Sequence, residues 1–231
     1  MKIWLLLIAF GLVFVSVECS YVLPPILSLS EFLWQKTVQQ HQAALTSSFI
    51  QGLVNISLDP TSFGAYMVQD PLYCYIVNKV LDFAATRVKN NPELKEFFEA
   101  RSSSCEMYYK ALLKEWHISN VTGISAGTAI VGYLKHLYIV PYKLDPIYVV
   151  VALIPRARLW PWLGGQIDAE TRNFGVYSKW VTENLNPGSR GYEKYEAVIN
   201  NAAEQGLIDS QKALQVYTRS MQGEVDFFSS V

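Results

Sequence analysis

Asp59-Pro60-Thr61-Ser62-Phe63-Gly64-Ala65-Tyr66-Met67-Val68-Gln69-Asp70-Pro71-Leu72-Tyr73-Cys74 reads as the opening of a helix, with Pro60 at the first helical position. From there Phe63, Tyr66, Met67, Asp70, Tyr73, Cys74, Val77 and Val80 recur at three- and four-residue spacing, which puts them on one helical face. Pro71 sits inside that face and is expected to kink or break the helix, because its ring removes a backbone donor. Upstream, Ser28 or Ser30 caps a first helix with Glu31 in its first turn and Phe32, Leu33, Val38 and Leu45 as its buried stripe; a short apolar helix, 48–54, follows. Downstream, Asn91-Pro92 starts a helix running through Phe97, Met107, Leu112 and Leu113. Residues 120–125 read as a turn. Ile130, Tyr133, Leu137 and Tyr138 mark a helix ending near Pro141. Asp145-Pro146 opens an apolar run, 147–154, whose valines suit a buried strand but whose length and start favour a central helix distorted by Pro155 and Pro161. Helical patterns over 177–185, 192–205 and 210–228 complete an all-α bundle of seven to nine helices, with no repeat, linker or hairpin signal.

The chain has 231 residues, of which 51% are hydrophobic and only 17% charged, too apolar for disorder. Its 19 Lys and Arg balance 20 Asp and Glu, so no basic block is available for a phosphate backbone and nucleic acid is not an expected partner. Fourteen Tyr and six Trp suit either an aromatic-lined cavity or a large core. Lys2 followed by the apolar run Ile3 to Val17 and then Glu18-Cys19-Ser20 reads as a secretory signal peptide over residues 1–19, leaving a single domain over 20–231. No later apolar run reaches the ~18 residues of a membrane span, so a secreted protein without a membrane partner is expected. In an exported chain Cys74 and Cys105 read first as a disulfide, stabilising by about 2–4 kcal/mol, and otherwise as two buried thiols. Asn55-Ile-Ser57 and Asn120-Val-Thr122 are glycosylation sequons at expected helix edges or loops.

Phe49-Ile-Gln-Gly52, Phe63-x-x-Tyr66-x-x-Gln69-Asp70-x-x-Tyr73, Leu153-Ile154-Pro155 with an aromatic helix and Gly164, Tyr177-x-x-Trp180-Val181, and the terminal Glu224-x-x-Phe227-Phe228 form an ordered set. That set resembles the TenA/thiaminase II family along nearly the whole mature chain. The resemblance implies a haem-oxygenase-like helical fold with a pocket between helices, often a homotetramer, hydrolysing aminopyrimidines or thiamin without a cofactor. It also implies that Asp70 accepts hydrogen bonds from a pyrimidine edge, that Tyr73 and Tyr133 line the pocket, and that Glu224 shuttles protons. Three positions depart from the pattern. Arg156 stands where the family's nucleophilic Cys follows the Leu-x-Pro segment, Trp160 stands where Tyr is usual, and Asn184 replaces a further pocket Tyr. A guanidinium stays charged and does not attack carbon. Arg156 is expected to pair with Asp70 or Glu224, to receive an anionic ligand group, or to turn outward with its head in solvent.

The first expectation is a secreted TenA-like protein that binds a small heteroaromatic, thiamin- or aminopyrimidine-like ligand, its hydrolase activity lost or altered. A Cys-independent hydrolase using Glu224 is the second. Haem or tetrapyrrole binding through His41 is the third, since Leu29-Ser-Glu31-x-Leu33-x-x-x-Thr37-x-x-x-His41 and Leu163-Gly164-Gly165-Gln166 resemble the proximal and distal helices of haem oxygenase; the plainer account of His41 is a solvated helical residue. An extracellular structural role is the fourth. No metal-spaced set of His, Cys and carboxylates is seen, so no metal site is expected.

Overall fold

A computed structural model describes residues 27–230; the expected leader over 1–19 lies outside the described residues. The described chain forms α1 (Leu29–Lys36), α2 (Val38–Leu45), α3 (Ser48–Val54), α4 (Pro60–Arg87), α5 (Pro92–Glu115), α6 (Thr128–Lys143), α7 (Ile147–Gln166), α8 (Ser178–Asn184), α9 (Glu193–Glu204) and α10 (Ser210–Phe228). Short 3-10 turns at Val121–Gly123 and Gly175–Tyr177 interrupt the connections, and no strand occurs among the described residues.

Capping chemistry sets several starts. Asp59 accepts hydrogen bonds from the amides of Thr61 and Ser62 at 2.9 and 3.1 Å, and Asn91 accepts one from Leu94 at 2.9 Å, each just before a proline at the first helical position. Neither Pro71 in α4 nor Pro155 and Pro161 in α7 ends its helix. The expected break at Pro71 does not occur: a proline costs one intrahelical bond, and dense packing on both sides offsets that loss. Ten α-helices rather than seven to nine result partly because the expected first helix divides at Thr37. There the buried hydroxyl donates back to the carbonyls of Leu33 and Trp34, both at 3.1 Å, and competes with the helical ladder. The buried face is accordingly Leu33, Thr37, His41 and Ala44, while Val38 is exposed and Phe32 and Leu45 are half-buried.

Helix α7 is the hub. Every residue from Ile147 to Pro155 is buried, so the valine run is the core of a helix wrapped on all sides, not a strand. It packs against α10, α9, α6, α2, α4 and α8, while α4 pairs with α5 along its length. Phe49, Tyr66, Trp180, Phe227 and Phe228 form a contiguous aromatic cluster at one end of the core, with ring centroids 4.4–6.0 Å apart for the contacting pairs.

Two glycines set how closely elements approach. A methyl group on Gly223 would lie 2.4 Å from the Tyr133 ring, so α10 meets α6 only because that position is bare. One on Gly164 would lie 1.7 Å from the Leu185 carbonyl oxygen, a backbone atom that cannot swing aside. By contrast, nothing lies within 4 Å of a methyl group on Gly64, in the first turns of α4. Gly164→Ala is therefore expected to lose about 3 kcal/mol or more in denaturant unfolding. Gly64→Ala is expected to gain ~0.5–1 kcal/mol, by lowering the entropy of the unfolded chain.

Candidate functional site

Successive turns of α4 deliver Tyr66, Asp70 and Tyr73 to the interior, all at most 3% exposed. Helix α7 brings Arg156 and, one turn on, Trp160. Tyr133 comes from α6 and Glu224 from α10, where the bare Gly223 beside it permits the approach. These four helices bring together all the recognised positions except Asn184, which stands at the end of α8 at the outer edge.

Arg156 organises the centre. Its Nη2 donates to Asp70 Oδ1 at 2.5 Å, and its Nη1 lies 3.9 Å from Glu224 Oε2. The guanidinium is sandwiched between the rings of Tyr73, 4.4 Å to the centroid, and Trp160, 3.9 Å. Of the three fates open to Arg156, pairing with Asp70 is the one realised; it does not turn outward. Burial works against its charge, but Asp70 and then Glu224 outweigh that and hold its pKa above the usual arginine range. Trp160 Nε1 donates to Glu224 Oε2 at 2.9 Å, which places indole against carboxylate where the family resemblance implied a tyrosine. Burial pushes the Glu224 pKa up, against the pull of Arg156, Trp160 and Tyr133, so its neutral form is favoured relative to an exposed glutamate. The hydroxyls of Tyr73 and Tyr133 are 3.4 Å apart, and burial raises both pKa values well above the usual phenol range.

Two further side chains belong here. Tyr66 carried the periodic motif without an assigned role; its buried hydroxyl lacks a partner, as do Arg156 Nη1 and Glu224 Oε1. Tyr108, on α5, places its hydroxyl 3.5 Å from Asp70 Oδ2 and 3.0 Å from Asn184 Oδ1, linking the buried carboxylate to the edge residue. Nothing in the sequence singled it out, because Tyr108 is 40% exposed and reaches Asp70 only through the packing of α5 on α4.

Outside this cluster lies a concavity of about 380 Å³, with Tyr73, Tyr108, Arg156, Trp160, Asn184 and Tyr195 in its wall. Asp70, Tyr133 and Glu224 are at most 1% exposed and lie behind that wall. A larger cleft of about 570 Å³, between Arg87 and Leu207, holds none of these residues. Cys74 and Cys105 also line the concavity, and both are free thiols; the expected bridge is not formed. The pairing followed from the even count in an exported chain, a rule about redox compartment and not about the separation of α4 and α5. Burial holds the Cys74 thiol well above its ordinary pKa, so it supplies no thiolate to replace the absent nucleophile.

His41 is neither a solvated residue nor placed as an iron ligand. It is 3% exposed, its ring stacks on Trp34 with centroids 3.5 Å apart, and Nε2 lies 3.0 Å from Thr37 Oγ1. Burial, and then Arg158, lower its pKa to about 4. Gly164 is likewise spent on the close approach to Leu185, not on an open face for a macrocycle. Among the described residues no group of His, Cys, Asp and Glu is clustered to hold a metal, and no helix is long and apolar enough to cross a membrane.

No family model and no curated protein matches the sequence. Solved structures do match in shape. A TenA homologue from P. horikoshii OT3 superposes with a TM-score of 0.69 at 16% identity, over 87% of this chain and 97% of its own. The fold is that of the TenA proteins. A TenA family transcription regulator from a Silicibacter species gives 0.69 at 14% identity, covering 87% of this chain and 94% of the regulator. A thiaminase candidate of TenA type from Sulfolobus solfataricus P2 gives 0.66 at 21% identity, over 88% and 95%. This chain therefore has an all-α fold like that of the TenA proteins, and its buried centre carries a guanidinium.

Arg156→Met would strand Asp70 as a buried carboxylate without a counter-charge and is expected to cost about 3–5 kcal/mol of stability, measured by urea unfolding. The double variant Asp70→Asn/Arg156→Met, which removes both charges, is expected to recover part of that loss, so that the two substitutions are strongly non-additive.

Proposed function

We propose that this protein is an exported TenA-fold binding protein for a small planar heteroaromatic ligand, without the cysteine-dependent hydrolysis that the family resemblance implies. The single observation that carries this reading is the Arg156–Asp70 ion pair at 2.5 Å. It puts an unreactive cation in the nucleophile's position and spends the carboxylate that would hold an aminopyrimidine. The aromatic walls and the 380 Å³ volume suit a one- or two-ring ligand. Calorimetry with thiamin and simple pyrimidines is expected to detect binding of at least one compound, with no product by mass spectrometry. Turnover lost in Glu224→Gln would instead establish a Cys-independent hydrolase, with the buried Glu224, whose pKa burial pushes up, as its acid.

Export rests on the apolar leader pattern and on two sequons. Asn55 and Asn120 are exposed, as are Ser57 and Thr122, so an oligosaccharide meets no steric bar at either. Expressed through a eukaryotic secretory route, the protein is expected to carry two N-glycans. Enzymatic deglycosylation, and the variants Asn55→Gln and Asn120→Gln separately, are expected to remove the corresponding mass, visible by intact-protein mass spectrometry.

A further inference from the structure

A second concavity, of about 270 Å³, lies beside the first, with Phe63, Met67, Trp116 and Trp180 in its wall. Tyr108, Glu183 and Asn184 stand in the walls of both and so form the partition between them. Within that partition Tyr108 is the side chain that covers the buried centre. It is well exposed, yet its hydroxyl lies 3.5 Å from Oδ2 of the fully buried Asp70. Its firmer contact is with Asn184 Oδ1, at 3.0 Å. A phenol has one proton to donate, and 3.5 Å is beyond the ordinary O–H···O length, so the proton goes to Asn184. The Asn184 amide is fixed in this orientation because its Nδ2 donates to the Trp180 carbonyl at 2.9 Å. Asp70 Oδ2 is therefore covered by Tyr108 without being strongly bonded to it. One turn earlier on α4 the Tyr66 hydroxyl is buried without a partner; burial, and then the Asp70 charge, hold its pKa well above the usual phenol range. Helix α8 is also tied to α5 by an exposed ion pair, Lys179 to Glu115 at 3.2 Å, which in water holds weakly.

We infer that Tyr108 is a gate over the buried centre and that Asn184 is its latch. Latched, the ring separates the two concavities and covers Asp70 Oδ2. Released, it turns toward solvent, joins the two concavities, and opens Asp70 Oδ2 and the Tyr66 hydroxyl to an entering molecule. A single neutral hydrogen bond latches it, so the closed form predominates while opening costs little. A side chain already open to solvent makes such a turn without moving a helix. The polar atoms behind it then gain access to the partners they lack when it is closed. Asn184, a departure from the family pattern at the edge of the site, thus acquires a role: it sets an amide acceptor opposite Tyr108. The part the gate plays in ligand entry rests on the reading of the concavity as a ligand site; the latch does not.

Carboxylate labelling tests the gate without a ligand. The folded protein is treated with a water-soluble carbodiimide and glycine ethyl ester, and amide formation at Asp70 and Glu224 is followed by peptide mapping and mass spectrometry. Asp70 is expected to label slowly in the native protein. In Asn184→Ala and in Tyr108→Phe it is expected to label about five-fold faster, the population shift that one hydrogen bond supplies. The double variant is expected to label no faster than either single one, because both substitutions remove the same bond. Glu224, which is bonded to Trp160, is expected to stay unlabelled in all of these proteins. Tyr108→Phe retains the ring and its packing, so it decides the question even where Asn184→Ala fails to fold. Unchanged Asp70 labelling in Tyr108→Phe would overturn the gate, as would Glu224 labelling that rises in step, the sign of a general loosening. A pyrimidine or thiamin that binds the native protein in calorimetry is expected to bind Tyr108→Phe more tightly by the same factor, since affinity scales with the open fraction. Equal affinity with faster labelling would overturn entry through the gate and leave the latch standing. Failure of all these compounds to bind the folded proteins would overturn the reading of the concavity as a ligand site, with labelling still deciding the gate.

Discussion

A buried carboxylate at the middle of a helical bundle needs a counter-charge, and in this molecule Arg156 supplies it to Asp70 across the α4–α7 contact. Much of the centre is arranged around that need. The guanidinium is planar and weakly hydrated, so aromatic faces can flank it, and Tyr73 and Trp160 do so. Trp160 then has its indole N–H directed at Glu224, and Glu224 is kept near by Gly223, which lets α10 close on Tyr133. A lysine at position 156 would carry the charge but neither the forked donors nor the flat face. The pair is therefore a packing element as much as an electrostatic one.

The centre also carries an imbalance. Two carboxylates share one guanidinium, and three buried polar atoms, on Tyr66, Arg156 and Glu224, have no hydrogen-bond partner. Burial pushes the Glu224 pKa up and so favours its neutral form relative to an exposed glutamate. Polar groups left in this condition are uncommon in a settled core and are characteristic of places where a ligand or ordered water completes the bonding. The TenA proteins it matches in shape have the same overall fold at 14–21% identity, and at that distance the architecture is shared while the site is a matter for each chain's own residues.

Much of the architecture was legible because helix boundaries are local chemistry. Asp59-Pro60 and Asn91-Pro92 start α4 and α5 as read, and α3 spans 48–54 as read, since a capping side chain and a following proline act over three residues. At Pro71 the helix does not break, because surrounding packing outweighs one missing bond, a balance invisible from the dipeptide. Thr37 misled in the other direction, since its hydroxyl bonds back to the Leu33 and Trp34 carbonyls where the helix divides. Of the apolar stripe read over 32–45, Leu33 is buried but Val38 is exposed, and His41, read as solvated, is buried and stacked on Trp34.

The sequence by itself determined the all-helical class, the order of the elements, and which chemical groups are present: a carboxylate at 70 and 224, a guanidinium at 156, and thiols at 74 and 105. Those follow from periodicity, capping and side-chain identity, all of which act within a few residues. Only the tertiary structure decided what these groups do to one another. That Arg156 turns inward to Asp70, 86 residues away, that Tyr108 reaches the same carboxylate from α5, and that Cys74 and Cys105 line one wall without bonding depend on how α4, α5 and α7 lie together. Ion pairing and burial act through space, in a medium whose screening is itself set by the packing, so the charge state and partners of a buried residue belong to the assembled core.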